Sequence, residues 1–212
     1  VVSLVLGSLF ICLLPANKVS WDEEIHFSNS YYMSVGREVD VTQPVRELAN
    51  VTVMNWPYEL PQSLEEKTEG ARYLDEGPDE LNEETASSKE PSHRSGLRSF
   101  GYMGSVLAIN IGRLFHLPLS VLYYLGRMGN LLLYSVVMFF AIRRLALGKR
   151  ILAVVGLMPT SIFLACTYSC DASITAFLSL GLAYIISEFA EKDREITWKS
   201  FIIFMGAMIL GS

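Results

Sequence analysis

Long uncharged apolar runs alternate along this chain with short polar stretches and one long acidic one, and that alternation lays out its elements. Residues 1–15 are apolar but shorter than the ~20 residues that cross the hydrocarbon of a bilayer, so they are expected to be a first transmembrane span cut short. A cleaved signal peptide competes for the same run, but no basic segment precedes it. Residues 118–142 read as a second span opened by Pro118, and residues 151–167 as a third. Pro159 should kink the third span and free a carbonyl within reach of Thr160 or Ser161. Residues 172–190 read as a fourth span and residues 200–212 as the start of a fifth. The chain is thus expected to be a fragment of a longer one.

The polar intervals set the topology. Arg143, Arg144, Lys149 and Arg150 crowd one short connection, which the positive-inside rule makes cytoplasmic. Residues 143–150 and 191–199 then face the cytoplasm, while 16–117 and 168–171 are external. The fold class that follows is an all-α polytopic protein of the cell membrane, with a large first external loop.

Within that loop two helices are expected to lie at the interface. In residues 22–36, Asp22, Glu23, His26, Asn29, Ser30 and Ser34 share one side at 100° per residue, and Ile25, Phe27, Tyr31, Tyr32 and Val35 the other. Such a helix should turn its aromatic side to acyl chains and its carboxylates to water. Residues 102–117 should form a second helix lying on, or dipping into, the outer surface. Between them, Val39-Asp40-Val41 and Val51-Thr52-Val53 alternate as extended segments do. Residues 62–96 are rich in Glu and Asp with few apolar anchors, which predicts a disordered segment, a lid or a spacer. Calcium binding by Asp75 and Asp79 lacks the spacing of a known loop, so a solvated acidic run is the better account.

The chain is 51% hydrophobic and 18% charged, and its formal net charge of −5 gathers in that one segment, not across the surface. Nucleic acid is not supported as a partner, because the only basic cluster is the cytoplasmic loop. Cys12 would lie in the membrane. Cys166 and Cys170, four apart, lack the further ligands a metal or redox motif needs. No phosphate-binding loop, dinucleotide fingerprint or nucleophile elbow occurs.

The candidate chemistry gathers after the first span, in Trp21-Asp22-Glu23-Glu24-Ile25-His26-Phe27. Three carboxylates and an imidazole within about a turn suit proton transfer or metal binding at a membrane surface. The same residues read equally as a capping box, Ser20-x-x-Glu23, with Asp22 favoured by the helix dipole. A second group runs along the 118–142 span, where Tyr123, Arg127, Asn130 and Tyr134 recur at spacings of four, three and four. Arg127 lies nine residues past Pro118, about 14 Å along the helix. A guanidinium at that depth needs a polar cavity or a partner. It would serve either as a fork for phosphate oxygens or as a structural bridge to Asp22, Glu23 or Asp171. Asp171, in the short external turn Tyr168-Ser169-Cys170-Asp171, reads as a helix N-cap or as a second acidic site.

Together these motifs carry a resemblance. Asp22-Glu23-x-x-His26-Phe27, Arg127-x-x-Asn130, Gly148-Lys149-Arg150, Leu157-Met158-Pro159 and Ser169-x-Asp171-Ala172 run in the order of a set of predicted bacterial membrane proteins. That set is catalogued as domain of unknown function 2142 and is similar in layout to the GT-C superfamily of integral membrane glycosyltransferases. Trp21 departs from it, standing where members often have Pro. The resemblance implies a GT-C-like enzyme with its site on the outer face, taking a polyprenyl-phosphate-linked sugar and modifying an envelope glycan, lipid or protein. Asp22 would be the base or a metal ligand, supported by Glu23 and His26. Arg127 and Asn130 would contact the donor phosphate and Asp171 would be a second acidic site. A divalent cation, Mg or Mn, held by Asp22 and Asp171 is the accompanying expectation. The alternative is a non-catalytic transporter or assembly subunit for envelope polysaccharide, with Arg127 in a gating or structural bridge.

Overall fold

The computed structural model describes residues 1–14, 23–34, 65, 97–190 and 197–211, and the described residues form helices with no strand among them. In chain order these are α1 (Val2–Leu13), α2 (Glu23–Ser34), a short 3₁₀ helix (Leu97–Tyr102), α3 (Met103–Leu114), α4 (Leu119–Arg144), α5 (Lys149–Gly156), α6 (Pro159–Ala165), α7 (Cys170–Ala190) and α8 (Trp198–Leu210). Ser120–Arg144 and Cys170–Ala190 are long and apolar enough to cross a membrane. The extended segments near Val39 and Val51, the acidic segment 62–96 apart from Glu65, and Asp22 lie outside the described residues.

The central element is α4. Pro118 precedes it in an extended conformation and supplies the carbonyl that accepts the Leu122 amide, which suits a residue with no amide hydrogen of its own. The inner face of α4 carries Leu131, Tyr134, Val137 and Met138 into a core completed by Ile11 of α1, Ile162 and Ala165 of α6, and Ala172 and Ala176 of α7. Its opposite face receives α3, folded back antiparallel through a tight turn in which His116 takes a positive φ of 53°. Small residues bring the two backbones together: a Cβ added to Gly104 would stand 2.6 Å from the Gly129 carbonyl oxygen. Close approach of this kind is how helices associate where apolar burial supplies little driving force.

The segment expected to be a third continuous span is two helices instead. Its break falls at Leu157 and Met158, with Pro159 in the first turn of α6. Pro159 cannot donate to the preceding turn, so carbonyls there need other partners. The Ser161 hydroxyl donates to the Val155 carbonyl at 2.9 Å, as expected of that residue. The Tyr134 hydroxyl of α4 donates to the Gly156 carbonyl, also at 2.9 Å. A proline placed where two carbonyls have side-chain donors nearby breaks the helix more completely than a kink.

The far end of α4 is held by a second set of contacts. Arg144 donates to Glu188 of α7 at 2.8 Å and lies 5.0 Å from the Tyr184 ring centre. Glu188 is 3% exposed and also accepts from the Ser200 hydroxyl and the Thr197 amide at the start of α8. One carboxylate thus ties α4, α7 and α8 together.

Candidate functional site

At the opposite end of the bundle the polar stripe of α4 turns inward as its spacing predicted: Tyr123, Arg127, Asn130 and Tyr134 are all 2% exposed or less. The Arg127 Nε donates to Glu23 Oε1 of α2 at 3.0 Å, with both side chains fully buried. The Arg127 guanidinium carbon lies 4.7 Å from the Tyr123 ring centre, so its face is covered by an aromatic. The same Glu23 Oε1 accepts the backbone amide of Tyr168, in the turn before α7, at 3.0 Å. A charge withdrawn from water in this way persists when it is both paired and hydrogen-bonded, and Glu23 is both.

Aromatic rings enclose the pair. Phe27 of α2 lies 4.7 Å from Tyr123 and 5.1 Å from Tyr168 between ring centres, and Tyr123 and Tyr168 are 5.0 Å apart. The Tyr168 hydroxyl donates to the Tyr123 carbonyl at 2.9 Å and rests over Gly126, where any side chain would collide with it. Burial pushes this phenol well above its ordinary pKa, and the neighbouring Tyr123 adds to the effect against the pull of Arg127.

This packing corrects the expected placement of α2. The helix forms where the sequence pattern put it, but its carboxylate side does not face water: Glu23, Asn29 and Ser30 are buried, and so is Phe27. The reason is Arg127, whose buried cation draws the polar side of α2 inward.

Asn130, expected beside Arg127 as a phosphate contact, is committed to the backbone of the α6–α7 turn. Its Nδ2 donates to the carbonyls of Thr167 at 2.8 Å and Ser169 at 3.1 Å, and its Oδ1 accepts from Ser173 at 3.3 Å. That turn carries Asp171. Asp171 was expected as the N-cap of α7, but the helix begins at Cys170, and the Ser169 hydroxyl accepts the Asp171 amide at 3.1 Å. Ser169 is therefore the cap, and Asp171 stands exposed in the first turn.

His26 meets a residue not singled out by the sequence. Its Nδ1 lies 2.7 Å from the hydroxyl of Tyr102, to which Asn29 also donates at 3.3 Å. Burial raises the Tyr102 pKa; the Asn29 hydrogen bond opposes this, and Cys170 and Asp171 reinforce it. The phenol stays protonated through neutral pH and can give its hydrogen to His26 Nδ1. His26, Tyr102, Cys170 and Asp171 thus form a half-exposed polar group beside the buried pair. The signal that could have found Tyr102 was its place at the first position of a predicted helix. Glu188, also missed, was the only acid in an apolar run.

Among the described residues, no three His, Cys, Asp or Glu side chains are grouped to hold a metal ion.

The described residues thus hold two helices long and apolar enough to cross a membrane, with a buried ion pair joining α2 to one of them. The chain belongs to the family described as predicted membrane protein (DUF2142), whose model matches residues 4–211. No curated protein and no solved structure matches it.

Proposed function

We propose that this chain carries the site of a membrane-embedded glycosyltransferase that uses a polyprenyl-phosphate-linked sugar to modify an envelope glycan, lipid or protein on the outer face. One observation supports it above the others. The Glu23 carboxylate holds both Arg127 of α4 and the Tyr168 amide. The exposed Asp171 stands at this end of the bundle, and the acid next to Glu23 in sequence is Asp22. The basic connection Arg143 to Arg150 is at the other end, so the positive-inside rule makes the Glu23 end external.

In this reading Asp22 is the base that takes the acceptor's proton, and Asp171 is the second acid. His26 and Tyr102 supply a hydrogen-bonded pair on the Asp171 side of the site. The Glu23–Arg127 pair is the frame that sets their positions, and Asn130 fixes the turn that presents Asp171. Asp22→Asn in the purified full chain should abolish transfer from a polyprenyl-phosphate sugar while leaving its thermal stability unchanged. Transfer at the parental rate would overturn the assignment.

A specific observation also favours a second reading, a transporter or assembly subunit without catalysis: both members of the ion pair are fully buried, as a structural or gating bridge would be. Asp22→Asn and Arg127→Met together separate the two. Loss of sugar transfer in a stably folded Asp22→Asn protein supports catalysis, whereas envelope-polymer export or assembly that survives Asp22→Asn and fails with Arg127→Met supports the bridge alone.

A further inference from the structure

The lengths of the helices locate the hydrocarbon against them. From Asn130, which binds the Ser169 carbonyl, to Arg144, which binds Glu188, α4 advances about 21 Å. Along α7, the advance from Ser169 to Ser187, whose hydroxyl donates to the Arg144 carbonyl, is about 27 Å. Both fall short of the ~30 Å of apolar thickness in a typical bilayer. Charged groups at Arg144 and Glu188 fix one boundary, so the missing distance has to come from the part of α4 that precedes Asn130. That part is flanked by α3: Gly104 packs on Gly129 and Leu133, and Gly112 on Leu122 and Leu125.

The outward side of α3 suits the same environment. Leu107 and Ile111 are each 58% exposed and Leu114 75%, with Met103 at one end of the stripe and the uncharged Asn110 on its edge. The helix's one cation, Arg113, is turned away, donating to Ser34 at 3.3 Å and lying 5.6 Å from the Tyr31 ring centre. The side of α4 that α3 covers at Gly129 and Leu133 continues one and two turns later as the exposed Val136 and Phe140, with Leu132 beside them. In a spanning helix those residues face acyl chains, and the stripe on α3 is continuous with them.

We infer that α3 is a half-helix embedded in the bilayer, its Met103–Leu107–Ile111–Leu114 stripe in contact with acyl chains. The Glu23–Arg127 pair accordingly lies within the hydrocarbon thickness, screened from water on this side. The inference holds whatever the protein transfers, because it concerns only where the lipid lies.

The test uses the full chain in phosphatidylcholine vesicles, with Cys12→Ser, Cys166→Ala and Cys170→Ser as background. Leu107→Cys and Ile111→Cys are each labelled with a small fluorophore, and Leu132→Cys serves as the lipid-facing reference. Lipids bearing a nitroxide on the acyl chain should quench both α3 positions as strongly as the reference. A membrane-impermeant maleimide added to unlabelled vesicles should leave them unmodified. Rapid maleimide reaction would place the stripe in water and overturn the inference. Protection from both reagents would mean that another segment or a second copy covers it, which also overturns it. Should the cysteine-free background fail to fold, Leu107→Trp in the otherwise unchanged chain with acyl-brominated lipid reads the same contact, as loss of the added emission.

Discussion

Replacing Arg127 by Met tests whether the ion pair organises the end of the bundle as its geometry requires. The substitution keeps most of the side-chain volume and the contact with Tyr123 but removes the charge, leaving the Glu23 carboxylate fully buried with the Tyr168 amide still donating to it. Breaking one partner of a buried pair typically costs about 3–5 kcal/mol, most of it the burden of the stranded charge. For a chain of this size, 1 kcal/mol shifts Tm by roughly 2–4 °C, so Arg127→Met should lower the midpoint by about 6–20 °C. Glu23→Gln made on top of it removes the stranded charge and keeps an acceptor for Tyr168. The double variant should therefore be more stable than Arg127→Met alone, a non-additivity characteristic of residues in contact. Thermal unfolding of the parent, Arg127→Met, Glu23→Gln and the double variant in one detergent measures this. If Arg127→Met unfolds within a degree or two of the parent, or if the two losses simply add, the pair does not hold the site together.

Three smaller perturbations address the surroundings. Tyr134→Phe strips the Gly156 carbonyl of the hydroxyl that satisfies it and should destabilise by about 1–3 kcal/mol in the same unfolding assay. An unchanged midpoint would mean that this carbonyl is satisfied without Tyr134. Gly104→Val drives a side chain into the Gly129 backbone and should separate α3 from α4, losing at least the ~1–3 kcal/mol typical of overpacking; proteolysis within residues 97–117 should rise with it. Because the folded-state pKa of Tyr102 is raised above the ordinary 10.0, the native state holds that proton more tightly than the unfolded chain does. Its contribution is fully present below pH 10 and is lost as pH climbs beyond it. Tyr102→Phe should make the alkaline decline in stability shallower, and an identical decline would remove Tyr102 as a contributor.

What the sequence disclosed depended on whether the deciding partner was local. The spacing of Tyr123, Arg127, Asn130 and Tyr134 was enough to put them on one side of α4, since that follows from helix geometry alone. Pro118 marked a boundary for the same reason; Pro159 was read as a kink and is a break, although one of the two donors offered for its freed carbonyl, Ser161, does bond Val155. The side of α2 that faces inward was legible only through the bridge offered from Arg127 to Asp22, Glu23 or Asp171, and not from the helix's own pattern. Helical periodicity separates polar from apolar residues but presumes water on the polar side, and the cation that reversed this lies 104 residues away. Ser169 and Asp171 are both good cap residues two positions apart, and only the backbone decides which one closes the helix. The partnership of His26 with Tyr102 spans 76 residues, across a segment whose composition reports nothing about how its ends meet.

The carboxylate of Glu23 also constrains how the protein is made. Its second donor, the Tyr168 amide, comes 145 residues later in the chain. At a translation rate of about 5–20 residues per second, the ribosome takes roughly 7–30 s to deliver it. Until Arg127 emerges, 104 residues on, the newborn carboxylate has neither guanidinium nor amide, and lipid is no place for it to wait. A helix that must idle in water until two later pieces emerge cannot itself be threaded through the bilayer, which is reason enough for α2 to be part of a loop and not a crossing.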